Sequence, residues 1–509
     1  MNQRKAGVIL SYLHTGLNAV IMLVYVPMLL HYLTKEQYGV YQLMGSLMSV
    51  LALMDFGLSN GVTRFLAQAQ ARQNSQAQGE ILASARRLYG LIAAGILGIG
   101  GLLYLCITPM YGETLSAQEL VWAKQIFIVL LINMTACVGG SLFVAVLFAR
   151  ERFVFWLLVG LVGVVSSPLL IWGVLCWKQN VLYVALAQTC VNIGIVGVNY
   201  IYCRVKLGVR FGKYPASWSR VKQLTRFSWA VFVGNIAGTV YWRLGAFVLG
   251  AVAGAVAVAN YYIASQICLF FIILSTNVGN IFLPKLSADA ATSSSLASHN
   301  DIFCKAGRLQ GLVAFLIWIG FALLGRVFLQ LWLGPGNEVC YGPALILMTG
   351  YLLSIMQSVA GTALLSIDRY AGFAYISLGA AVLNILLAVP LSMYYGVSGS
   401  AVAAAFCLLV LQGVAANLYF NRVGLQVRRF IRAVAPVAGL AAGVWLLLDG
   451  LWHYWPVRAT WMSFVAHGVV IVGVYASLAG WLVLDRFEWD VLNECWQFIA
   501  SFGRKGLRE

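Results

Sequence analysis

The sequence predicts an all-α, polytopic membrane protein with about fourteen transmembrane helices. Of its 509 residues, 61% are hydrophobic and only 10% are charged, whereas about 25% of residues in soluble proteins are charged. Apolar runs long enough to cross a bilayer recur along the whole chain. The chain also repeats itself once. Together these three observations predict two parallel lobes of six helices each, followed by two further C-terminal helices.

The repeat consists of short segments that return about 220 residues downstream. Three pairs match: 87–93 with 308–314, 151–153 with 368–370 and 199–205 with 417–423. Each copy contains an even number of spans, so both halves enter the membrane in the same orientation. Repeats of this size in an apolar chain are typical of transporters, in which the substrate site lies between two similar halves.

The predicted spans, numbered one to fourteen in chain order, are 7–32, 39–62, 88–109, 124–148, 154–177, 181–203, 227–251, 259–283, 309–333, 343–366, 372–392, 398–420, 433–451 and 461–484. They divide the chain into five parts: an N-lobe at 1–203, a basic linker at 204–226, a C-lobe at 227–420, spans thirteen and fourteen within 421–484, and a tail at 485–509. Apolar and basic residues alternate in the tail as in an amphipathic helix that lies on a membrane surface.

Positive charge predicts the orientation of the spans. Of the 33 Lys and Arg residues, 27 fall in the two termini and the even-numbered loops. Such loops stay on the cytoplasmic side, so we expect both termini on that side of the membrane. The net charge of +17 is therefore explained by the basic residues of the cytoplasmic loops. We interpret the basic linker as a segment attracted to anionic lipid rather than to nucleic acid.

Several classes of protein are disfavoured by what the sequence lacks. It has no P-loop, HExxH or GxSxG motif, and its outward loops are too short to hold a catalytic domain. Its ten cysteines show no CxxC spacing, so we expect no metal site, no cofactor and no structural disulfide. The chain is not expected to be an enzyme.

Span seven carries a polar stripe. Ser228, Asn235, Thr239 and Arg243 follow one another at helical spacing. Arg243 is seventeen residues past Arg226, or roughly 25 Å into the membrane at ~1.5 Å per residue. A guanidinium at this depth could bind the phosphate oxygens of an anionic head group. The alternatives are a structural ion pair or a side chain that extends outward to the membrane surface.

Span one carries the matching stripe of the N-lobe. Ser11, His14, Asn18 and Tyr25 lie on one helical face. We therefore expect Asn18 and Tyr25 to line a substrate cavity together with the polar residues of span seven.

An acidic residue in span two suggests a coupling site. Asp55 is nine residues before Arg64, and His14 is nine residues after Lys5, so Asp55 and His14 should lie at a similar depth. A contact between them would form a proton-sensitive pair, which makes His14, Asp55 and Arg64 candidates for coupling or gating. On this hypothesis Asp55→Asn abolishes the pH dependence of transport. The alternative is that Asp55 caps an irregular helix end at 56–61.

Other polar residues within spans are weaker candidates for the cavity. They are Arg326, Asn277, Asn280, Gln357 and Asn384. Each could instead hydrogen-bond between helices, which is the commoner use of such residues, and Arg326 could extend outward from its span.

Three motifs resemble the opening of Wzx-type polysaccharide transporters. These motifs are 38–43 (YGVYQL), 55–58 (DFGL) and 63–65 (TRF). The Wzx-type proteins belong to the multidrug/oligosaccharidyl-lipid/polysaccharide exporter superfamily, and two six-span bundles with two added spans agree with its architecture over the whole length. The resemblance implies a fold like that of the multidrug (MATE) branch and alternating access around a central cavity bordered by spans one and seven. It also implies that the substrate is an undecaprenyl-diphosphate-linked oligosaccharide used for O-antigen, capsule or exopolysaccharide synthesis.

The chain departs from two branches of that superfamily. Span one lacks the arginines of the lipid II flippases, and Asp55 is the one acid that lies clearly within a span, whereas the drug exporters rely on cavity acids. The alternatives that stay open are a multidrug or cation antiporter, a membrane-embedded glycan polymerase or ligase, and a nonspecific scramblase. Expected partners are membrane lipids, H⁺ or Na⁺ as a coupling ion, and a polysaccharide polymerase or chain-length regulator.

Overall fold

The computed structural model describes the backbone of residues 3–209, 214–215, 217–280, 296–366 and 369–490. Side chains are described over the same residues except 3–9, 12, 227, 229–244, 277–280, 296–299, 362 and 365–366.

These residues are almost entirely helical, which confirms the predicted all-α class. The α-helices are α1 Gln3–Tyr32, α2 Lys35–Ala52, α3 Leu58–Ala71, α4 Ser75–Tyr111, α5 Ala117–Ala149, α6 Phe153–Trp177, α7 Val181–Val205, α8 Trp218–Asn280, α9 Leu296–Leu333, α10 Tyr341–Met356, α11 Ser358–Ser366, α12 Tyr370–Cys407, α13 Ala416–Val423, α14 Val427–Trp452 and α15 Trp461–Leu482. Leu53–Asp55 and Glu338–Cys340 are 3₁₀ turns, and Leu408–Ala415 is a π-helix.

Twelve helical segments of the described chain are long and apolar enough to cross a membrane. Two of these contain a glycine with non-helical backbone angles: Gly254 (φ 78°) breaks α8 and Gly396 (φ 55°) breaks α12. Only glycine adopts such positive φ values without strain. Because each break separates two predicted spans, the helices agree with the prediction of about fourteen.

Short polar residues begin many of the helices. Side chains of Thr34, Asn74, Ser116, Asn180 and Thr460 accept hydrogen bonds from backbone N–H groups of the helices that follow them. At Ser116 the Glu119 side chain returns a bond to the cap backbone and completes a capping box. Local sequence therefore fixes where these helices begin.

The described chain groups into two compact units. Unit 1 comprises Met1–Ile263 and Ala381–Ala403, and unit 2 comprises Ala264–Ala380 and Ala404–Glu509. In unit 1, α5 is central and packs against α2, α3, α4 and α7, while α1 packs against α6. The lobe and linker boundaries expected from the sequence remain a prediction.

In unit 2, α9 packs against α10, α14 and α15. The buried face of α14 is made by Phe430, Val434, Val437, Ala441, Val444 and Leu448. This spacing of three and four residues turns one stripe toward α9, where it meets a shared apolar cluster. Lipid is as apolar as these side chains, so van der Waals packing rather than water exclusion holds this contact together.

Candidate functional site

Span two is interrupted at its acidic residue. Helix α2 ends at Ala52, a 3₁₀ turn covers Leu53–Asp55, and α3 begins only at Leu58. Between them Phe56 (φ 50°) and Gly57 (φ 64°) adopt the left-handed conformation. This conformation is strained for phenylalanine. The motif 55–58 therefore encodes a break in the middle of a span.

The break leaves the Asp55 carboxyl without a hydrogen bond at one oxygen. Oδ1 of Asp55 is buried and has no partner among the described residues, and the same holds for the hydroxyl of Tyr89. The 3₁₀ turn packs on α4, where Tyr89 lies within electrostatic range of Asp55. Helix α3 has Gly57 as its N-cap and no side-chain cap, so the capping role considered for Asp55 is not observed. A half-buried carboxyl with one unsatisfied oxygen within a span is a candidate functional group.

The predicted pairing of His14 with Asp55 is not formed in this structure. Helix α1 packs on α6, and a Cβ placed on Gly160 would meet Nε2 of His14 at 3.3 Å. The imidazole thus lies against span five, because α1 turns that face toward α6 rather than toward α2. Arg64 lies on the exposed face of α3, with its guanidinium 6.0 Å from the ring of Phe65.

The polar face of span one leads into a group of tyrosines. Asn18 is exposed, whereas the phenol of Tyr25 lies within electrostatic range of Tyr38, Tyr41 and Tyr262. The rings of Tyr38 and Tyr262 meet edge to face at 6.3 Å. Span one therefore contributes to an aromatic cluster of unit 1 that sequence reasoning did not identify.

The polar stripe of span seven is only partly described. Ser228 is buried, and its hydroxyl has no hydrogen-bond partner among the described residues. Asn235, Thr239 and Arg243 lie within α8, but their side chains are outside the described residues. The side chains of Asn277 and Asn280 are likewise outside them. The cavity roles of these five residues remain predictions.

Two of the weaker candidates have clear surroundings. Arg326 is exposed, and its guanidinium carbon is 5.1 Å from the centre of the Tyr341 ring, a cation–π contact. Asn384 is buried, and its Oδ1 has no partner within the described chain.

Unit 2 contains a second polar region, where spans ten and twelve are both irregular. Span ten breaks at Gln357, a non-helical residue between α10 and α11. Span twelve winds as a π-helix over Leu408–Ala415 before α13. π-Helical turns are rare and frequently mark functional sites. Residues of both interruptions line one cavity.

The cavity has a volume of about 280 Å³, and its lining includes Ser354, Gln357, Ser358, Tyr370, Phe373 and Gln412. Ligand pockets are usually larger, at about 300–1,000 Å³, so this cavity suits a small group. The described lining carries amide, hydroxyl and aromatic side chains and no charged one.

Hydrogen bonds fix the polar side chains of the cavity. Nε2 of Gln357 donates to Oδ1 of Asn417 at 2.7 Å, and the Ser354 hydroxyl donates to Oε1 of Gln412 at 3.2 Å. Ser358 is held by Gln310, which is fully buried behind it. Among the described residues, the Gln412 amide nitrogen and the Gln357 carbonyl oxygen have no partner.

Sequence reasoning identified Gln357 as a weak candidate but missed Gln412 and Asn417. These two residues are five positions apart, and in a regular helix of 3.6 residues per turn they would point about 140° apart. The wider π-helical turn changes that register. Their presence as amides within an apolar span was the only available signal.

In unit 1 the amide side chains bond to one another between helices. Gln188 and Asn192 of α7, Asn133 of α5 and Ser167 of α6 form a continuous ladder of hydrogen bonds. The Asn192–Asn133 and Gln188–Asn192 bonds both measure 3.1 Å. This ladder joins spans four, five and six, as is typical of polar residues between membrane helices.

The fold defined by these helices is that of transporters of the multidrug/oligosaccharidyl-lipid/polysaccharide superfamily. The lipid II flippase MurJ in an inward closed conformation superposes with a TM-score of 0.71 at 14% identity, over 92% of this chain and 98% of that chain. An inward-facing multidrug resistance MATE transporter gives 0.59 at 13% identity, over 83% of this chain and 94% of the other. A superfamily transporter from Pyrococcus furiosus gives 0.53 at 12% identity, over 86% and 94%.

The sequence itself defines the family more closely. The profile of the polysaccharide biosynthesis protein family matches residues 5–279, which is more than half of the chain. The chain therefore belongs to the polysaccharide biosynthesis protein family, as the resemblance of its three motifs indicated. No curated relative matches it.

Proposed function

We propose that this protein flips undecaprenyl-diphosphate-linked oligosaccharide repeat units across the bacterial inner membrane for surface polysaccharide synthesis. Membership of the polysaccharide biosynthesis family carries the proposal. The likeness of the fold to a flippase of another lipid-linked glycan precursor supports it. Alternating access would expose the head group first to the inside and then to the outside.

The physical problem is the transfer of a hydrated head group through hydrocarbon. A diphosphate with attached sugars loses many hydrogen bonds to water on entering lipid, and each lost bond is costly unless it is replaced. Hydroxyl and amide side chains within the spans can replace those bonds, and Arg243 is proposed to pair with the diphosphate. The polyprenyl tail can stay in lipid. No covalent bond changes, so the proposed activity is transport and not catalysis.

The proposed setting follows from the charge of the loops and from the pathway. Both termini face the cytoplasm, and a polysaccharide polymerase or chain-length regulator receives the product on the outer side. Membrane lipids surround the spans, and H⁺ or Na⁺ is the proposed coupling ion.

Asp55 is the proposed coupling residue. Its Oδ1 is buried at a helix break without a partner among the described residues, so binding of a proton or a cation there would remove the cost of an unsatisfied group. Exchange of that ion would alter the helix break at Phe56 and Gly57, where the backbone of Phe56 is strained, and so couple ion binding to helix movement.

Rescue of a flippase-deficient bacterium tests this proposal. The wild type should restore surface polysaccharide, Arg243→Ala should restore much less of it, and Asp55→Asn should transport without a pH dependence. Membrane levels of each variant serve as the control. Failure of the wild type in hosts with several different glycans would reject the proposal.

A multidrug or cation antiporter is the second candidate, because the half-buried carboxyl of Asp55 within a span also suits cation exchange. Expression in a drug-sensitive strain separates the two functions. Increased drug resistance that is lost in Asp55→Asn, without rescue of any glycan, would favour the antiporter.

A further inference from the structure

We infer that the unit 2 cavity between Gln357 and Gln412 binds a sugar ring of the transported head group. This inference rests on the proposed function, and it assigns a place to one part of the substrate. The cavity volume of about 280 Å³ leaves room for a single monosaccharide.

The chemistry of the lining matches a neutral sugar. A hydroxyl group both donates and accepts hydrogen bonds, and the cavity offers one of each: the Gln412 amide nitrogen as donor and the Gln357 carbonyl oxygen as acceptor. Neither group has a partner among the described residues. The rings of Tyr370 and Phe373, 5.8 Å apart and steeply inclined, provide apolar faces for the C–H groups of a sugar.

The same lining disfavours charged ligands. A diphosphate would need a cation beside it, and a cationic drug would need a carboxylate. The described lining supplies neither of them. The cavity therefore discriminates in favour of the uncharged part of a lipid-linked glycan.

The internal repeat shows that these amides are not needed to build a lobe. The repeat offset of about 218 residues places Gly139 opposite Gln357 and Gly194 opposite Gln412. Both glycines lie within the uninterrupted helices α5 and α7, and a Cβ added to either would meet no atom within 4 Å. Spans four and six therefore pack without the break, the π-helix or the amide pair.

The amides of the unit 2 cavity differ from those of unit 1 in what lies beside them. In the unit 1 ladder each amide is bonded to the next across spans four, five and six. In the unit 2 cavity, by contrast, Gln357 and Gln412 line an open volume together with Tyr370 and Phe373, and each uses only one end of its amide in a bond to a described side chain. Amides that line a cavity beside an aromatic pair favour a ligand over a purely interhelical role.

Binding of two matched lipids to the full-length protein tests the inference. The probes are undecaprenyl diphosphate and undecaprenyl diphosphate carrying one N-acetylglucosamine, measured by native mass spectrometry. We expect the wild type to prefer the glycosylated lipid by roughly tenfold, the equivalent of one to two hydrogen bonds. Gln412→Leu should remove that preference and leave the binding of undecaprenyl diphosphate unchanged.

Three further variants distinguish loss of the sugar site from misfolding. Gly361 also lines the cavity, so Gly361→Leu fills it and should act like Gln412→Leu. Gly361→Ala should bind as the wild type does, because its Cβ would meet only Tyr370, at 3.9 Å. Gln188→Leu makes the same amide-to-apolar change in the half-buried ladder of unit 1 and should keep the preference.

The outcomes separate the two proposals. If the wild type binds both lipids equally, or if Gln412→Leu and Gly361→Leu keep the preference, the sugar site is wrong while the flippase proposal stands. If neither lipid binds and the wild type rescues no flippase-deficient host, the proposed function fails and the sugar site fails with it.

Discussion

One short motif, Arg-Leu-X-Gly, occurs at 87–90 and again at 308–311. Its residues differ between the two copies in burial and in bonding. Arg87 is exposed. Arg308 is mostly buried, and its guanidinium lies 2.8 Å from carboxylate oxygens of both Asp485 and Glu488 and donates to the carbonyl of Val483. The third position differs too: Tyr89 has no hydrogen-bond partner within the described chain, whereas Gln310 is bonded to Ser358.

The difference shows what the added C-terminal segment does. Among the described residues, no carboxylate forms an ion pair with Arg87 at the first copy. In unit 2 the residues after α15 supply the two acids that hold Arg308, and α14 and α15 cover the apolar face of α9. The repeat therefore specifies the helix, while the segments packed against it specify the role of each position. Substitutions at matched positions can test this conclusion.

The largest difference is expected at the arginine. Arg308→Ala leaves Glu488, which is 2% exposed, as a buried charge without its guanidinium. Breaking one side of a buried ion pair costs about 3–5 kcal/mol. We expect a loss of that order in the free energy of unfolding, measured by SDS titration in mixed micelles.

Arg87→Ala is the matched control. An exposed residue without such partners should change stability by less than about 0.5 kcal/mol. Equal losses for Arg308→Ala and Arg87→Ala would contradict the anchoring role of the C-terminal segment.

The second prediction concerns Gln310. Gln310→Leu keeps most of the side-chain volume but removes the bonds to Ser358. Because the Ser358 hydroxyl left behind is exposed at the cavity and can bond water, this change should destabilise the protein by less than about 1 kcal/mol. Ser358→Ala should cost more, about 1–3 kcal/mol, because it leaves the amide of the fully buried Gln310 without these bonds.

A double-mutant cycle sharpens this second prediction. Because the two side chains bond each other, the double variant should lose about 0.5–3 kcal/mol less than the sum of the single variants. Additive losses would show that the bond does not contribute to stability.

The third prediction has the opposite sign. Tyr89→Phe removes a buried hydroxyl that has no hydrogen bond among the described residues, and so relieves a desolvation cost. We expect stability to stay the same or rise by up to about 1 kcal/mol. A clear loss of stability would reveal a partner for the hydroxyl, and Asp55 is the candidate.

Much of the fold could be predicted from the sequence because membrane helices follow composition directly. Apolar length predicted the spans, while the grouping by sixes expected from the repeat stays a prediction. The break at 55–58 was anticipated as an irregular helix end, since glycine and asparagine cluster after Asp55. The breaks at Gly254 and Gly396 fall between predicted spans.

The site was less predictable for two physical reasons. His14 and Asp55 were expected at a similar depth, but depth does not determine which neighbour a helix face meets, and α1 turns His14 toward Gly160. Gln412 and Asn417 were missed because their spacing does not place them on one face of a regular α-helix. Span twelve is π-helical there, which changes the register of its side chains. Pairing across helices and local winding both depend on tertiary packing.

The smallest effect is expected at the glycine of the motif. A Cβ on Gly90 would meet no atom within 4 Å, whereas on Gly311 it would lie 3.1 Å from Sδ of Met356. Alanine in an open helix interior stabilises by about 0.5–1 kcal/mol relative to glycine, so Gly90→Ala should gain about that amount. Gly311→Ala should gain nothing or lose slightly, because Met356 must move to make room. Equal gains in stability at both positions would mean that α9 packs as loosely at Gly311 as α4 does at Gly90. The contrast between the two copies would then be confined to their polar residues.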